Sequence, residues 1–238
     1  MCIRDRVFTD RAVNHMSQKF VDAMQEFYGL LRETYNADAA VVVPGSGSFG
    51  MESVARQFME GQPTLVVRDG FFSYRWSQII EMGKLTDHEV VSAVAADDSP
   101  TPGFAPPAVD QVIDAIKKQG SKVVAAAHVE TASGIVLTDE YIKALADAVH
   151  EQGGLFVLDC IASGALWVDM KELGVDVLIS APQKGWSGWP GMGYVMLNER
   201  ALARLEETES SSFSMDLKKW HTVSETYRAG KHMYQETM

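Results

Sequence analysis

Short apolar runs alternate with segments of helical periodicity from about residue 17 to about residue 207. Near-continuous apolar runs are typical of buried strands, and apolar positions three or four residues apart are typical of amphipathic helices. Strands are predicted at AAVVVP, TLVVRD, HEVVSAVA, KVVAAAH, GLFVLD, VDVLIS and GYVMLN. Helices are predicted at SQKFVDAMQEFYGLLRETY, MESVARQFM, FFSYRWSQIIEMG, VDQVIDAIKKQG, TDEYIKALADAVHEQG and ERALARLEET.

This alternation predicts an α/β fold. Strands that are apolar throughout must be covered on both faces, which favours a mostly parallel central sheet between two layers of helices. We therefore expect a three-layer sandwich. Ligands of such sheets bind beyond the carboxyl ends of the strands, so polar residues at those ends are the first candidates for a functional site.

One large domain is predicted over residues 17–207. Residues 1–16 form an N-terminal segment, of which residues 1–6 look foreign to the fold. Residues 208–238 are polar and partly helical and lack a closing apolar run, so we expect them to lead into a smaller C-terminal domain. The chain is therefore expected to be a fragment of a longer protein.

Composition disfavours several classes of function. The 238 residues are 46% hydrophobic and 22% charged, which is ordinary for a globular protein. A formal charge of −11 disfavours nucleic acid, which needs clustered Lys and Arg. No apolar stretch approaches the roughly 20 residues that span a bilayer, and the start lacks the apolar core of a signal peptide. With Cys2 and Cys160 as the two cysteines, we expect a cytoplasmic protein, a packing role for Cys160 and no metal site.

An aspartate and a lysine follow two of the predicted strands. Asp159 ends LFVLD, and Lys184 follows VDVLIS, 25 residues later, in the segment SAPQKG. A carboxylate can keep a pyridine nitrogen protonated while an amine forms a Schiff base with an aldehyde, which is the chemistry of pyridoxal phosphate enzymes. Taken singly, such an aspartate is more often a helix cap and such a lysine a solvated charge. The pair together favours catalysis.

A glycine-rich segment, PGSGSFG, lies between a predicted strand and a predicted helix. Glycines let the backbone approach a ligand closely, and amides at a helix N-terminus favour an anion. The hydroxyls of Ser46 and Ser48 could add hydrogen-bond donors. The segment also matches the dinucleotide pattern G-x-G-x-x-G, with Asp69 closing the next strand 19 residues after Gly50. An NAD-dependent oxidoreductase is therefore the main alternative.

Two observations disfavour that alternative. A complete amphipathic helix precedes the strand, whereas the dinucleotide pattern more often opens its domain. The oxidoreductase also leaves Asp159 and the Gln183–Lys184 pair without a role. The glycine-rich segment alone does not separate the two hypotheses.

Two further segments put suitable side chains just after strands. Phe72, in DGFF, could stack on a pyridine ring, and Thr131, in HVETASG, could donate a hydrogen bond to a phenolic oxygen. Each also has an ordinary explanation, as a core phenylalanine and as part of a polar turn. Their value lies in their combination with the other segments.

Five segments together resemble the class V, fold-type I pyridoxal phosphate aminotransferases, particularly the alanine–glyoxylate and serine–pyruvate type. They are GSGSFGMES, DGFFSYRW, HVETASG, LFVLDCIAS and SAPQKGWSG, in the family's order and approximate spacing over residues 45–188. The combination is specific, although no single segment is. The resemblance implies the fold of the family's large domain and pyridoxal 5′-phosphate as the cofactor.

The resemblance also implies roles for ten residues. Lys184 would form the Schiff base and shuttle a proton, and Asp159 would pair with the pyridinium nitrogen. Phe72 and Ile161 would pack on the two faces of the ring, and Thr131 would contact its 3′ oxygen. The phosphate would be held by the backbone amides of Gly47 and Ser48, by Gln183, and, from the second subunit of a homodimer, by Tyr234 and Thr237.

The activity implied by the resemblance is transamination between a small amino acid, such as alanine or serine, and a keto acid such as glyoxylate or pyruvate. The family grips the substrate carboxylate with an arginine of its C-terminal domain, and neither Arg75 nor Arg228 corresponds to it. Beside the oxidoreductase, an inactive truncated protein of this fold stays open, as does another class V enzyme such as a 2-aminoethylphosphonate transaminase or a cysteine desulfurase.

Overall fold

A seven-stranded sheet forms the centre of the protein in the computed structural model, which describes residues 13–232. The strands are β1 (Ala39–Pro44), β2 (Thr64–Arg68), β3 (His88–Ser92), β4 (Val94–Ala95), β5 (Phe104–Ala105), β6 (Val123–Ala127), β7 (Val129–Glu130), β8 (Ile135–Val136), β9 (Leu155–Asp159), β10 (Val177–Ser180) and β11 (Met192–Leu197). The helices are α1 (Gln18–Tyr35), α2 (Gly47–Phe58), α3 (Phe71–Gly83), α4 (Val109–Gln119), α5 (Asp139–Glu151), α6 (Met170–Leu173), α7 (Glu199–Glu207) and α8 (Leu217–Arg228).

The strands of the large sheet follow the order β1-β11-β10-β9-β6-β2-β3. Strand β11 runs antiparallel to both β1 and β10, and the remaining pairs are parallel. Helices link the parallel strands, because a chain must cross from one end of the sheet to the other to start a parallel neighbour. Two two-stranded sheets, β4–β5 and β7–β8, lie beside it. The prediction of a mostly parallel sheet is confirmed.

Each face of the sheet carries its own hydrophobic core. Alternate residues of one strand point to opposite faces, so Leu65 and Val67 belong to one core while Val66 belongs to the other. The first core includes buried residues of α1, α4 and α5, and the second includes buried residues of α2 and α3. Cys160 is 2% exposed within the first core, as predicted for a packing residue. The three-layer sandwich is confirmed.

The helix predicted from Met51 begins four residues earlier, at Gly47. Residues 47–50 of the glycine-rich segment are therefore the first turn of α2 rather than part of a loop before it. The apolar pattern missed this turn because two of its residues are glycines packed closely on the sheet. A Cβ on Gly50 would lie 3.3 Å from Ile179 Cγ2, and a Cβ on Gly193 of β11 would lie 2.7 Å from the carbonyl oxygen of Ser46.

Among residues 13–232, no helix has both the length and the apolar character needed to cross a bilayer. Over the same residues, no group of three or more His, Cys, Asp and Glu side chains is arranged to hold a metal ion.

Candidate active site

A cavity of about 230 Å³ lies at the carboxyl ends of the parallel strands. It brings together all eight predicted site residues of the described part of the chain: Gly47, Ser48, Phe72, Thr131, Asp159, Ile161, Gln183 and Lys184. The other two predicted site residues, Tyr234 and Thr237, lie outside the described residues. Four further residues line the cavity, namely Ser46, Arg75, Val129 and Ala162.

Asp159 is the last residue of β9, which lies between β6 and β10 in the middle of the sheet. Its side chain is buried, and Oδ1 accepts a 2.9 Å hydrogen bond from the amide of Ile161. Burial raises the pKa of Asp159 to about 6, although the bond from Ile161 and the charge of Arg75 oppose the shift. A buried carboxylate with a raised pKa gains stability from a cationic neighbour. The group therefore suits a protonated ring nitrogen.

Lys184 lies in the loop that follows β10, with its side chain exposed toward the cavity. The loop turns tightly, because the amide of Gly188 donates to the carbonyl of Pro182 over 2.7 Å. It also packs on the backbone that follows β9. A Cβ on Gly185 would lie 2.0 Å from the carbonyl oxygen of Gly164, so only glycine permits this approach. The contact holds the lysine loop against the segment that follows Asp159.

The N-terminus of α2 forms one wall of the cavity. Its N-cap residue, Ser46, makes no side-chain hydrogen bond to the helix, so the first amides of α2 are free to bind an anion. A Cβ on Gly47 would lie 2.6 Å from Ile161 Cδ1, which explains why this wall needs glycine. The hydroxyl of Ser48 accepts a 2.9 Å hydrogen bond from Arg75 Nη1. Backbone amides, a hydroxyl and a guanidinium are the donors that a phosphate group prefers.

Arg75 is a cavity residue that the sequence argument left without a role. It lies one turn after Phe72 on α3, and its Cζ lies 5.6 Å from the centroid of the Phe72 ring. The spacing of three residues on a predicted helix, which puts both side chains on one face, was the signal available in the sequence. Arg75 gives the cavity a positive charge that lowers the pKa of Asp159.

The strand order contradicts the dinucleotide-binding alternative. That fold needs the glycine-rich turn and the following acidic residue on neighbouring strands. Here β1 lies at one edge of the sheet, and β11, β10, β9 and β6 separate it from β2. Asp69, which follows β2, lines a different cavity beside Phe71 and Phe104 and does not line the one at Gly47. Asp69 therefore does not lie where the acidic residue of the dinucleotide pattern would be needed.

Comparison with known proteins agrees with this geometry. A sequence model of the family described as aminotransferase class-V matches residues 6–236. The chain is 28% identical over 164 residues to an L-aspartate–glyoxylate aminotransferase of Paracoccus denitrificans, covering 68% of this chain and 40% of that protein. It is 30% identical over 194 residues to a 2-aminoethylphosphonate–pyruvate transaminase of Paraburkholderia xenovorans, covering 79% and 49%.

A solved structure shares the fold. The ureidoglycine–glyoxylate aminotransferase of Bacillus subtilis aligns with a TM-score of 0.79 at 23% identity, over 98% of this chain and 59% of that one. The chain thus spans about half the length of the curated relatives that it matches.

Proposed function

The chain belongs to the class V aminotransferase family, and on that basis we propose that its cavity binds pyridoxal 5′-phosphate for transamination. The observation that carries the proposal is the meeting, in one cavity, of a buried carboxylate, a lysine and a helix N-terminus with free amides. When bound, the cofactor supplies an aldehyde that condenses with amines and a pyridine ring that withdraws electrons. The donors at α2 fit its phosphate, and Asp159 fits its ring nitrogen.

Asp159 is assigned to hold a proton on the ring nitrogen. Burial raises the pKa of Asp159 despite the opposing charge of Arg75, and a protonated ring nitrogen would stabilise the charged carboxylate. Oδ1 is already oriented by the Ile161 amide, so the carboxylate presents a fixed edge. The same hydrogen bond holds Ile161 beside the carboxylate, which supports its assignment to one face of the ring. Phe72 lines the same cavity and is assigned to the other face.

Lys184 is assigned two tasks. Its amine would hold the cofactor through the aldehyde, and Lys184 Nζ, once freed by the substrate amine, would act as the base and acid that moves the proton of the substrate α-carbon. The tight loop held at Gly185 supports this assignment, because proton transfer needs the amine within hydrogen-bond reach of the reacting carbon.

The remaining predicted residues are assigned to binding. Thr131 would donate to the 3′ oxygen of the ring, and Gln183 together with the amides of Gly47 and Ser48 would bind the phosphate. Their common position around one cavity supports these roles.

For the substrates, we infer a small amino acid such as alanine or serine and a keto acid such as glyoxylate or pyruvate. The names of the matched relatives support the acceptor, since glyoxylate and pyruvate appear in them. The same names include aspartate and 2-aminoethylphosphonate, so these two compounds are also tested as amino donors.

We also propose a cytoplasmic homodimer with a shared site, in which Tyr234 and Thr237 reach the partner's phosphate. Large exposed apolar side chains close in sequence to cavity residues support a covered surface there. Trp189, beyond the lysine loop, is 90% exposed, and Phe49, beside Ser48, is 47% exposed.

The cofactor proposal is tested by trapping. The protein is incubated with pyridoxal phosphate, reduced with borohydride and digested, and mass spectrometry locates the modified lysine. We expect the modification on Lys184, none there in Lys184→Ala, and an unchanged result in Lys171→Ala, which removes an exposed lysine paired with Asp38. Reductive labelling spread over surface lysines, or the same uptake in Lys184→Ala, contradicts the proposal.

Activity is a separate measurement. Alanine, serine, aspartate and 2-aminoethylphosphonate are assayed as donors with glyoxylate and pyruvate as acceptors. Keto acid formation with ping-pong kinetics supports transamination. Stoichiometric labelling of Lys184 without turnover of any pair would favour the alternative of an inactive protein of this fold.

A further inference from the structure

Glu130 is fully buried and lies between Val129 and Thr131, which both line the cavity. We propose that Glu130 is a positioning residue that holds Phe72 and Thr131 in a fixed relation around the cofactor. The inference rests on the proposed function, because it assumes that both residues contact pyridoxal phosphate.

One carboxylate joins two segments that are far apart in the sequence. Oε2 accepts hydrogen bonds of 2.8 Å from both the amide and the hydroxyl of Ser73. Oε1 accepts from the amide of Phe72 over 3.2 Å and from the amide of Ala132 over 3.1 Å. The first turn of α3 and the turn that carries Thr131 therefore share one acceptor group.

Glu130 also replaces the usual cap of α3. The N-cap position is Gly70, which has no side chain to accept a bond from the helix. A carboxylate at this end interacts favourably with the helix dipole and satisfies amides that otherwise lack partners. A Cβ on Gly70 would lie 2.7 Å from Glu130 Cδ, so glycine at this position is what lets the carboxylate reach the helix.

The hydrogen bonds that Glu130 accepts lie next to the cavity residues themselves. Phe72 is bonded directly through its amide, and Thr131 lies between Glu130 and the bonded Ala132. A shift of either segment breaks a bond to a buried carboxylate, which costs more than a bond exposed to water. The backbone segments that carry Phe72 and Thr131 are therefore held in a fixed relation to each other.

Glu130→Gln keeps the size of the side chain and weakens this set of hydrogen bonds. The amide has one acceptor oxygen, so its NH2 group must face either the amide of Ser73 or the amides of Phe72 and Ala132, which are all donors. Affinity for pyridoxal phosphate is measured by absorbance titration in wild type, Glu130→Gln, Phe72→Ala and the double variant. We expect Glu130→Gln to weaken binding about tenfold in the wild-type background and less than about threefold when Phe72 is already absent.

Asp176→Asn is the matched control. Asp176 is also fully buried and multiply bonded, since it accepts from the amide of Phe156 over 2.7 Å and from Asn198 Nδ2 over 2.8 Å. It immediately precedes β10, at the amino ends of the parallel strands, whereas the cavity lies at their carboxyl ends. We expect a loss of thermal stability with an unchanged affinity for the cofactor.

Amide hydrogen exchange in the cofactor-free protein gives a second readout. Glu130→Gln, or the milder Ser73→Ala if the glutamine variant does not fold, should speed exchange at Phe72 and Ser73, while Asp176→Asn should not. Unchanged exchange there, or equal losses of affinity with and without Phe72, overturns the inference. If exchange responds but wild type binds no pyridoxal phosphate, Glu130 positions the turn, and it is the proposed function that fails, together with the assignment of that turn to a cofactor.

Discussion

Arg75 Nη1 donates a 2.9 Å hydrogen bond to the hydroxyl of Ser48, joining α3 to the first turn of α2 across the cavity. The bond orients a hydroxyl and puts a permanent positive charge beside free helix amides. The carboxylate of Asp159 lines the same cavity. The cavity thus carries charges of opposite sign, which matches a ligand with an anionic phosphate and a cationic ring.

Arg75→Gln should therefore weaken binding of pyridoxal phosphate about tenfold, because a charge-assisted phosphate contact is lost. Pyridoxal, which lacks the phosphate, should bind with an affinity within about twofold of wild type. Both affinities are measured by absorbance titration. Arg56→Gln is the control, since Arg56 pairs with Glu52 on α2 and does not line the cavity. Equal losses for both ligands would mean that Arg75 does not act on the phosphate.

Asp159 should make stability depend on pH in the cofactor-free protein. Its pKa is about 6 in the folded state against 3.8 for the free group, so the folded state binds the proton more tightly. The group's contribution to the free energy of unfolding is present below about pH 4 and is lost as pH rises through about 6. A shift of this size corresponds to about 3 kcal/mol.

The measurement is urea unfolding of wild type and Asp159→Asn between pH 4 and pH 7. We expect the stability of wild type relative to Asp159→Asn to fall over that range. Asp69 has a pKa raised in the same direction, mainly by burial, but both proteins keep it, so the difference isolates Asp159. Bound pyridoxal phosphate should raise the free energy of unfolding of wild type at pH 7, and it should raise that of Asp159→Asn by a smaller amount. A constant difference from pH 4 to pH 7 would contradict the assignment.

Gly185→Ala should displace the lysine loop. The added Cβ would lie 2.0 Å from a backbone oxygen of Gly164, so the loop must move as a whole. We expect borohydride labelling of Lys184 to slow by about tenfold or more, because the amine no longer sits beside the aldehyde. Gly29→Ala is the control, because nothing lies within 4 Å of its Cβ position in α1. It should raise helix stability by about 0.5–1 kcal/mol and leave labelling unchanged.

The proposed shared site predicts complementation between inactive subunits. Chains with Lys184→Ala are mixed with chains carrying Tyr234→Phe and Thr237→Ala. In each hybrid dimer one site combines an intact lysine with intact crossing residues, so random mixing should restore about one quarter of the wild-type sites. The readout is the amount of cofactor that borohydride attaches to Lys184 at a low concentration of pyridoxal phosphate. Sedimentation checks that dimers have formed. No recovery in demonstrated dimers would rule out crossing by these two residues.

The candidate site was largely predictable because its residues follow strands. Asp159 and Lys184 each come after a buried apolar run, and parallel strands bring their carboxyl ends to one edge. Arg75 was noted but left without a role, since its partner Ser48 lies 27 residues away on another helix. Glu130 was missed because a glutamate in a polar turn has no local mark of burial. Its bond to the Ser73 amide spans 57 residues.

The sequence by itself determined the strands of the large sheet and most of the helices, the α/β class and the chemical nature of the two central residues, because periodicity and residue type are local properties. Tertiary structure decided the order of the strands, and with it the separation of Asp69 from the glycine-rich turn. It also decided which glycines are required, since Gly70 and Gly185 are constrained by atoms of distant segments. Close approach between such segments depends on how the layers pack, and no local pattern of hydrophobic positions encodes that distance.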